Sequence, residues 1–131
     1  MEINEEIQKA FEVIKEGGII LYPTDTVWGI GCDATNPEAV AKIYKLKKRA
    51  ETKSMIVLMN GEKMMYNVFK DIPEVAWQII DLSEKPTTII LDKPRNVAPN
   101  LVSEDNSLGI RIVKEPFCFK LMEKMKKPLV S

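Results

Sequence analysis

Ile19-Ile20-Leu21-Tyr22-Pro23-Thr24-Asp25-Thr26-Val27-Trp28-Gly29 is the stretch on which the reading of the fold turns. The apolar run from Ile19 to Tyr22 has the pattern of a short strand covered on both faces. Pro23, which has no N–H to donate, is expected to end its backbone pairing. The segment beyond it then reads as a loop or bent strand carrying the hydroxyls of Thr24 and Thr26 and the carboxylate of Asp25. Gly29 and Gly31 either permit close backbone approach or simply turn the chain before Cys32 and Asp33.

A second apolar strand, Met55-Ile56-Val57-Leu58-Met59, is entered through Lys47-Lys48-Arg49 and Lys53. Between Lys42 and Lys53 the cations Lys42, Lys45, Lys47, Lys48, Arg49 and Lys53 face only one acid, Glu51. Charge pattern alone allows a solvated helix end, where cations are favourable. Their position at the mouth of a buried strand argues for more. Small hydroxyls leaving one strand and fixed positive charge entering the next is how open α/β sheets present ligand sites at strand ends. That pairing suits a phosphorylated or carboxylated small molecule.

The flanking segments fill in an α/β fold. Ile3, Ile7, Ala10, Phe11 and Ile14 recur at helical spacing, with Asn4 as the expected cap and Gly17-Gly18 as the stop. Asn36-Pro37-Glu38 opens a second helix whose buried face is Val40, Ile43, Tyr44 and Leu46. Residues 61–67 suit a short helix. Asp71-Ile72-Pro73-Glu74 starts another, with Val75, Ile79, Ile80 and Leu82 expected to face the core and Trp77 to serve packing. Residues 87–91 and 108–113 read as strands separated by a Pro/Asn-rich loop. Arg111, set between two isoleucines, needs an exposed sheet face or an anionic partner. Pro116 opens a last helix, and Pro128-Leu129-Val130-Ser131 begins a further strand.

Composition narrows the function classes. The 131 residues, 45% hydrophobic, fit one globular domain with a core, spanning 1–131. Lys plus Arg balances Asp plus Glu at 19 each, so any contact with nucleic acid rests on a local patch. There is no histidine, and Cys32 and Cys118 form no ligand-spaced pair, which excludes the usual zinc sites and imidazole-dependent triads. No signal peptide and no membrane-spanning apolar run is present, and the expectation is a cytoplasmic protein with reduced thiols.

Leu21-Tyr22-Pro23-Thr24-Asp25-Thr26-Val27-Trp28-Gly29-Ile30-Gly31-Cys32-Asp33-Ala34 resembles the signature of the Sua5/YciO/YrdC family, Pro-Thr-Glu/Asp-Thr, an aromatic, then Gly-x-Gly-Cys-Asp. Lys47-Lys48-Arg49 fits that family's K-x-R motif, and Lys53-Ser54-Met55-Ile56-Val57-Leu58 its Lys-Pro-Leu strand entry. Pro86-Thr87-Thr88-Ile89-Ile90-Leu91 fits its Pro-(Tyr/Thr)-Thr strand, and Leu108-Gly109-Ile110-Arg111-Ile112 its Val-Gly-Val-Arg strand. The resemblance implies a twisted open mixed sheet with flanking helices around a positively lined concave cavity. It also implies an L-threonylcarbamoyladenylate synthase, a nucleotidyltransferase that joins L-threonine, bicarbonate and ATP. A partner transferase then passes the threonylcarbamoyl group to tRNA.

On that resemblance Lys47 and Arg49 are the catalytic cations at the phosphates, with Lys53 also binding ATP. Tyr22, Thr24, Thr26, Lys53 and Arg111 serve the substrates, Tyr22 as an aromatic wall and Lys53 or Arg111 as counter-charge to a carboxylate. Magnesium arrives with ATP, and no protein-bound metal is expected. Ala50 and Ser54 stand where the family favours proline, and Glu84-Lys85 where glycine is common. The family continues past the equivalent of Ser131 into an S-x-N motif, so the chain is expected to be the N-terminal two-thirds of the family's domain. The alternative reading is a module that binds tRNA or double-stranded RNA through residues 42–53 without chemistry.

Overall fold

The computed structural model describes residues 2–23, 28–47, 55–85 and 87–130. Helix α1 (Glu2–Lys15) leads into a hairpin of β1 (Ile20–Pro23) and β2 (Trp28–Gly31), and α2 (Pro37–Leu46) follows. Next come β3 (Val57–Met59), α3 (Glu62–Val68), α4 (Glu74–Leu82) and β4 (Ile89–Asp92). A 3-10 turn (Pro99–Leu101), β5 (Ser107–Ile112), α5 (Pro116–Met125) and β6 (Leu129–Val130) complete the described chain. The fold is mixed α/β, as the sequence implied. The main sheet has the order β4-β5-β3-β6, with β3 and β5 parallel and the other pairs antiparallel.

Strand alternation divides the apolar side chains between two cores. Val57 and Met59 of β3, Leu108 and Ile110 of β5, Leu91 of β4 and Val130 of β6 join Val40, Ile43 and Tyr44 of α2 in the first. Leu58 and Leu129 point the other way, into a second core with Ile7 and Ile14 of α1, Tyr22 of β1, and Leu121 and Met122 of α5. The parallel register sets Leu58 beside Arg111. Ile90 on β4, paired with Gly109, is 70% exposed. The second core therefore covers β3 and β6 and leaves the same face of β4 and β5 open.

Local chemistry explains why the elements sit where they do. Asn36 caps α2, its Oδ1 accepting from the N–H groups of Glu38 at 3.0 Å and Ala39 at 3.2 Å. Asp33 Oδ1 accepts from Thr35 N at 2.8 Å and Thr35 Oγ1 at 2.6 Å, tightening the turn before it. Val130 N donates to Cys32 O and Ala34 N to Pro128 O, so the Cys-Asp-Ala segment grips β6 from both sides of Leu129. Gly31 is fixed by space: a Cβ there would lie 2.5 Å from Tyr22 Cε1 and 2.8 Å from Val130 O.

Several expectations are corrected. The strand from Ile19 is one-faced, with Tyr22 fully buried and Leu21 67% exposed, because β1 belongs to a two-stranded ribbon packed on α1 and α5 from one side. Pro23 stays in register opposite Trp28, since a ribbon strand has a free edge that tolerates a missing N–H. Gly29 and Gly31 are strand residues of that ribbon, not turn residues. Helix α4 is rotated from the expected phase: Val75, Ile79 and Leu82 are exposed, while Ala76 is buried and Trp77 and Ile80 pack on the first core. Leu46, at the end of α2, is exposed as well. Trp77 packs as expected, its ring centroid 5.7 Å from that of Tyr66.

Candidate active site

Arg111 rises from the middle of β5 on the face opposite Ile110, where the second core ends and the open half of the sheet begins. It is half-buried, and its Nη2 donates to Thr88 Oγ1 at 3.1 Å. The antiparallel register that pairs Ile89 with Ile110 carries Thr88 directly across from Arg111. Nε of Arg111 is shielded from solvent and has no hydrogen-bond partner among the described residues. Thr88, Ile90, Gly109 and Arg111 thus form a floor bearing one fixed positive charge, an apolar side chain and a bare stretch of backbone. Such a floor can pair a carboxylate or phosphate with the guanidinium and lay an apolar group beside it.

The other expected site residues fall differently. Lys47 caps the C-terminus of α2, its N–H donating to Ile43 O at 2.9 Å, and its side chain is exposed. Thr24, Thr26, Arg49 and Lys53 lie outside the described residues. Tyr22 is not an open aromatic wall: its ring is sealed in the second core, 6.4 Å from the ring of Phe117, and its hydroxyl donates to Val130 O at 3.4 Å. It anchors the hairpin from which Thr24 and Thr26 follow in sequence.

Cys32 carries no chemistry. Burial first, and the neighbouring Asp33 carboxylate second, push its thiol from an ordinary 9.0 up to about 12, so it stays a neutral apolar filler. Asp33 also meets Lys127 at 3.5 Å, an ion pair that adds to the grip on β6. The second half of the signature motif therefore builds the frame, and its conspicuous residues are absorbed in backbone and packing.

Sequence reasoning singled out Arg111 but not Thr88, Ile90 or Gly109 as its surroundings. A groove of about 630 Å³ adjoins this floor at the β4 edge, lined by Ile90 together with Lys70, Asp71, Asp92, Lys93 and Arg95. There Arg95 donates to the carbonyls of Asn67 at 3.4 Å and Tyr66 at 3.2 Å. No group of three or more Asp, Glu or Cys side chains gathers to hold a metal among the described residues. No helix among them is long and apolar enough to cross a membrane.

Residues 12–131 match the family model Sua5/YciO/YrdC, described as "Telomere recombination". The chain belongs to the Sua5/YciO/YrdC family. It is 31% identical over 126 residues to a threonylcarbamoyl-AMP synthase of Hahella chejuensis, covering 95% of this chain and 68% of that protein. A second such synthase, from Acinetobacter baumannii, is 30% identical over 91% of the chain and 67% of its own length. These relatives are enzymes of the nucleotidyltransferase type. P. abyssi Sua5, solved in complex with L-threonine, superposes with a TM-score of 0.85 at 26% identity, across 95% of this chain and 37% of that one. E. coli YciO shares the fold, with a TM-score of 0.82 at 22% identity. The chain thus spans about two-thirds of the synthases' length and well under half of the Sua5 chain.

Proposed function

We propose that the chain carries the anion-handling part of an L-threonylcarbamoyladenylate synthase. The observation that carries the reading is the synthase likeness extending over 95% of the chain. The placement of Arg111 on the open half of the sheet supports it.

The threonine amine attacks the carbon of bicarbonate, water leaves, and a carbamate results. A carbamate oxygen then attacks the α-phosphorus of ATP, and the bond to the β-phosphate oxygen breaks, releasing pyrophosphate. No protein nucleophile or histidine is needed; the demand is to hold two anions together. Lys47 as a movable point charge and Arg49 as a rigid fork offset their repulsion and take up the charge of the departing pyrophosphate. Each such contact contributes about 2 to 4 kcal/mol to the transition state. Thr24 and Thr26 offer hydroxyls to the amino acid or nucleotide, and Arg111 or Lys53 meets the threonine carboxylate. Magnesium enters with the triphosphate, the product passes to a transferase acting on tRNA, and the reaction is cytoplasmic.

Calorimetry with L-threonine and with ATP tests this, together with pyrophosphate release in the presence of bicarbonate. Both ligands are expected to bind, and Lys47→Ala or Arg49→Ala is expected to lower turnover about 30-fold or more with the fold intact. Wild-type pyrophosphate release in either variant removes that residue from the site. Failure of both ligands to bind, with salt-sensitive binding of tRNA instead, overturns the enzyme reading in favour of an RNA-binding module.

A further inference from the structure

We propose that Thr88 is the positioning residue for Arg111, holding its guanidinium flat across β4 and β5 so that it meets the substrate carboxylate in one orientation. The inference rests on the reading of Arg111 as a counter-charge.

An arginine side chain on an open sheet face has rotamer freedom to lose before it can serve as a fixed charge. Two observations show where this one loses it. Arg111 Nη2 donates to Thr88 Oγ1 at 3.1 Å, across the ladder and not along the chain. Thr88 is itself oriented from the other side. The nearest atom to a Cβ built on Gly109 is Thr88 Cγ2, at 3.5 Å, so the threonine methyl lies over the bare backbone of Gly109 while the hydroxyl turns to Arg111.

A β-branched residue is stiff at χ1, and here its two branches meet two different neighbours on β5. Serine keeps the hydroxyl and loses the methyl. Valine keeps the shape and loses the acceptor. Thr88 is exposed, so neither change empties a core position.

The test uses the full chain with Thr88→Val, Thr88→Ser and Arg111→Lys. Without ligand, NMR of the arginine side chains reads rotation about the Arg111 Nε–Cζ bond, which the hydrogen bond on Nη2 slows. Slow rotation is expected in the wild type and the serine variant, and fast rotation in the valine variant. Calorimetry with L-threonine is expected to show affinity about tenfold weaker for Thr88→Val, with recovery in Thr88→Ser, at unchanged melting temperature.

Equal guanidinium rotation in all three threonine, serine and valine forms overturns the proposal. So does wild-type affinity in Thr88→Val when Arg111→Lys has lost binding, and the counter-charge reading then survives. An Arg111→Lys variant that binds L-threonine as the wild type does overturns the counter-charge reading itself and the proposal with it. A wild-type chain that binds no L-threonine overturns the proposed function, while the rotation measurement still decides whether Thr88 holds the guanidinium.

Discussion

The two halves of the main sheet are built to opposite ends. Where β3 and β6 meet, both faces are covered, Val57 and Val130 entering one core and Leu58 and Leu129 the other. Where β4 and β5 meet, only one face is covered, and the other shows Thr88, Ile90, Gly109 and Arg111. The first half is packed on both faces, and the second leaves one face uncovered. This division explains why a strand so apolar on either side can hold an arginine at its centre: Arg111 stands beside Leu58 but just outside the packed layer.

The contrast predicts its largest effect at Leu58. Leu58→Ala deletes a side chain from the covered half and should cost about 2 to 5 kcal/mol, because the sheet beneath and helices α1 and α5 above cannot collapse fully onto the gap. Ile90→Ala on the open half should stay within about 0.5 kcal/mol. Denaturant unfolding of both variants checks this, and similar costs at the two positions would mean that the open face is covered in solution.

A smaller effect is expected at Gly31, where the hairpin closes on β6. Gly31→Ala drives a methyl into the Tyr22 ring and the Val130 carbonyl and should cost about 1 to 3 kcal/mol. The ring can swing aside, whereas the backbone carbonyl cannot. A loss that disappears when Tyr22 is also reduced to leucine would assign the strain to the ring; persistence assigns it to the carbonyl.

Cys32 sharpens the comparison through pH. Its thiol titrates near 12 in the folded chain and near 9.0 when exposed, so the unfolded state loses the proton first as pH rises. The buried neutral thiol is therefore harmless below pH 9, and stability falls by about 1.4 kcal/mol per pH unit between roughly 9 and 12. Cys32→Ala should lack that part of the alkaline loss, so the stability difference between variant and wild type changes over that window and is constant below it. Equal pH slopes above 9 would show the thiol to be open to solvent. Near pH 7 the pair Cys32→Ser and Cys118→Ser should leave turnover within a few-fold, since neither thiol is a reacting group.

Elements whose caps formed as read were legible in the sequence, although Asn4, the expected cap of the first helix, lies inside α1 (Glu2–Lys15); the faces set by distant partners were not. Helix α2 could be placed from Asn36, Pro37 and Glu38 because its cap is made by neighbours in the chain. The run from Ile19 to Tyr22 looks the same whether one face or two are packed; pairing with β2, on the far side of Pro23, decides it. In α4, Val75, Ile79 and Leu82 make as regular a stripe as Ala76 and Ile80, and the small Ala76 was taken inward, where it lets the helix sit close to the first core. Arg111 announced itself as a charge inside a strand. Thr88 could not, because it meets Arg111 only through the β4–β5 register, 23 residues away.

The smallest structural effect is expected at Gly109, and it probes the open half most directly. A Cβ there would touch nothing closer than Thr88 Cγ2 at 3.5 Å, an ordinary contact, and the backbone at Gly109 is not in the left-handed region. Gly109→Ala should therefore fold with stability unchanged within about 0.5 kcal/mol, or slightly raised, because alanine loses less entropy in a strand than glycine. The methyl it adds stands on the floor beside Arg111. If L-threonine lies over that backbone to reach the guanidinium, its affinity should fall by about tenfold or more at unchanged stability, a steric loss with no change in charge. If affinity is unchanged, the ligand approaches Arg111 from the side of the second core, and the bare backbone at Gly109 serves only to seat the Thr88 methyl.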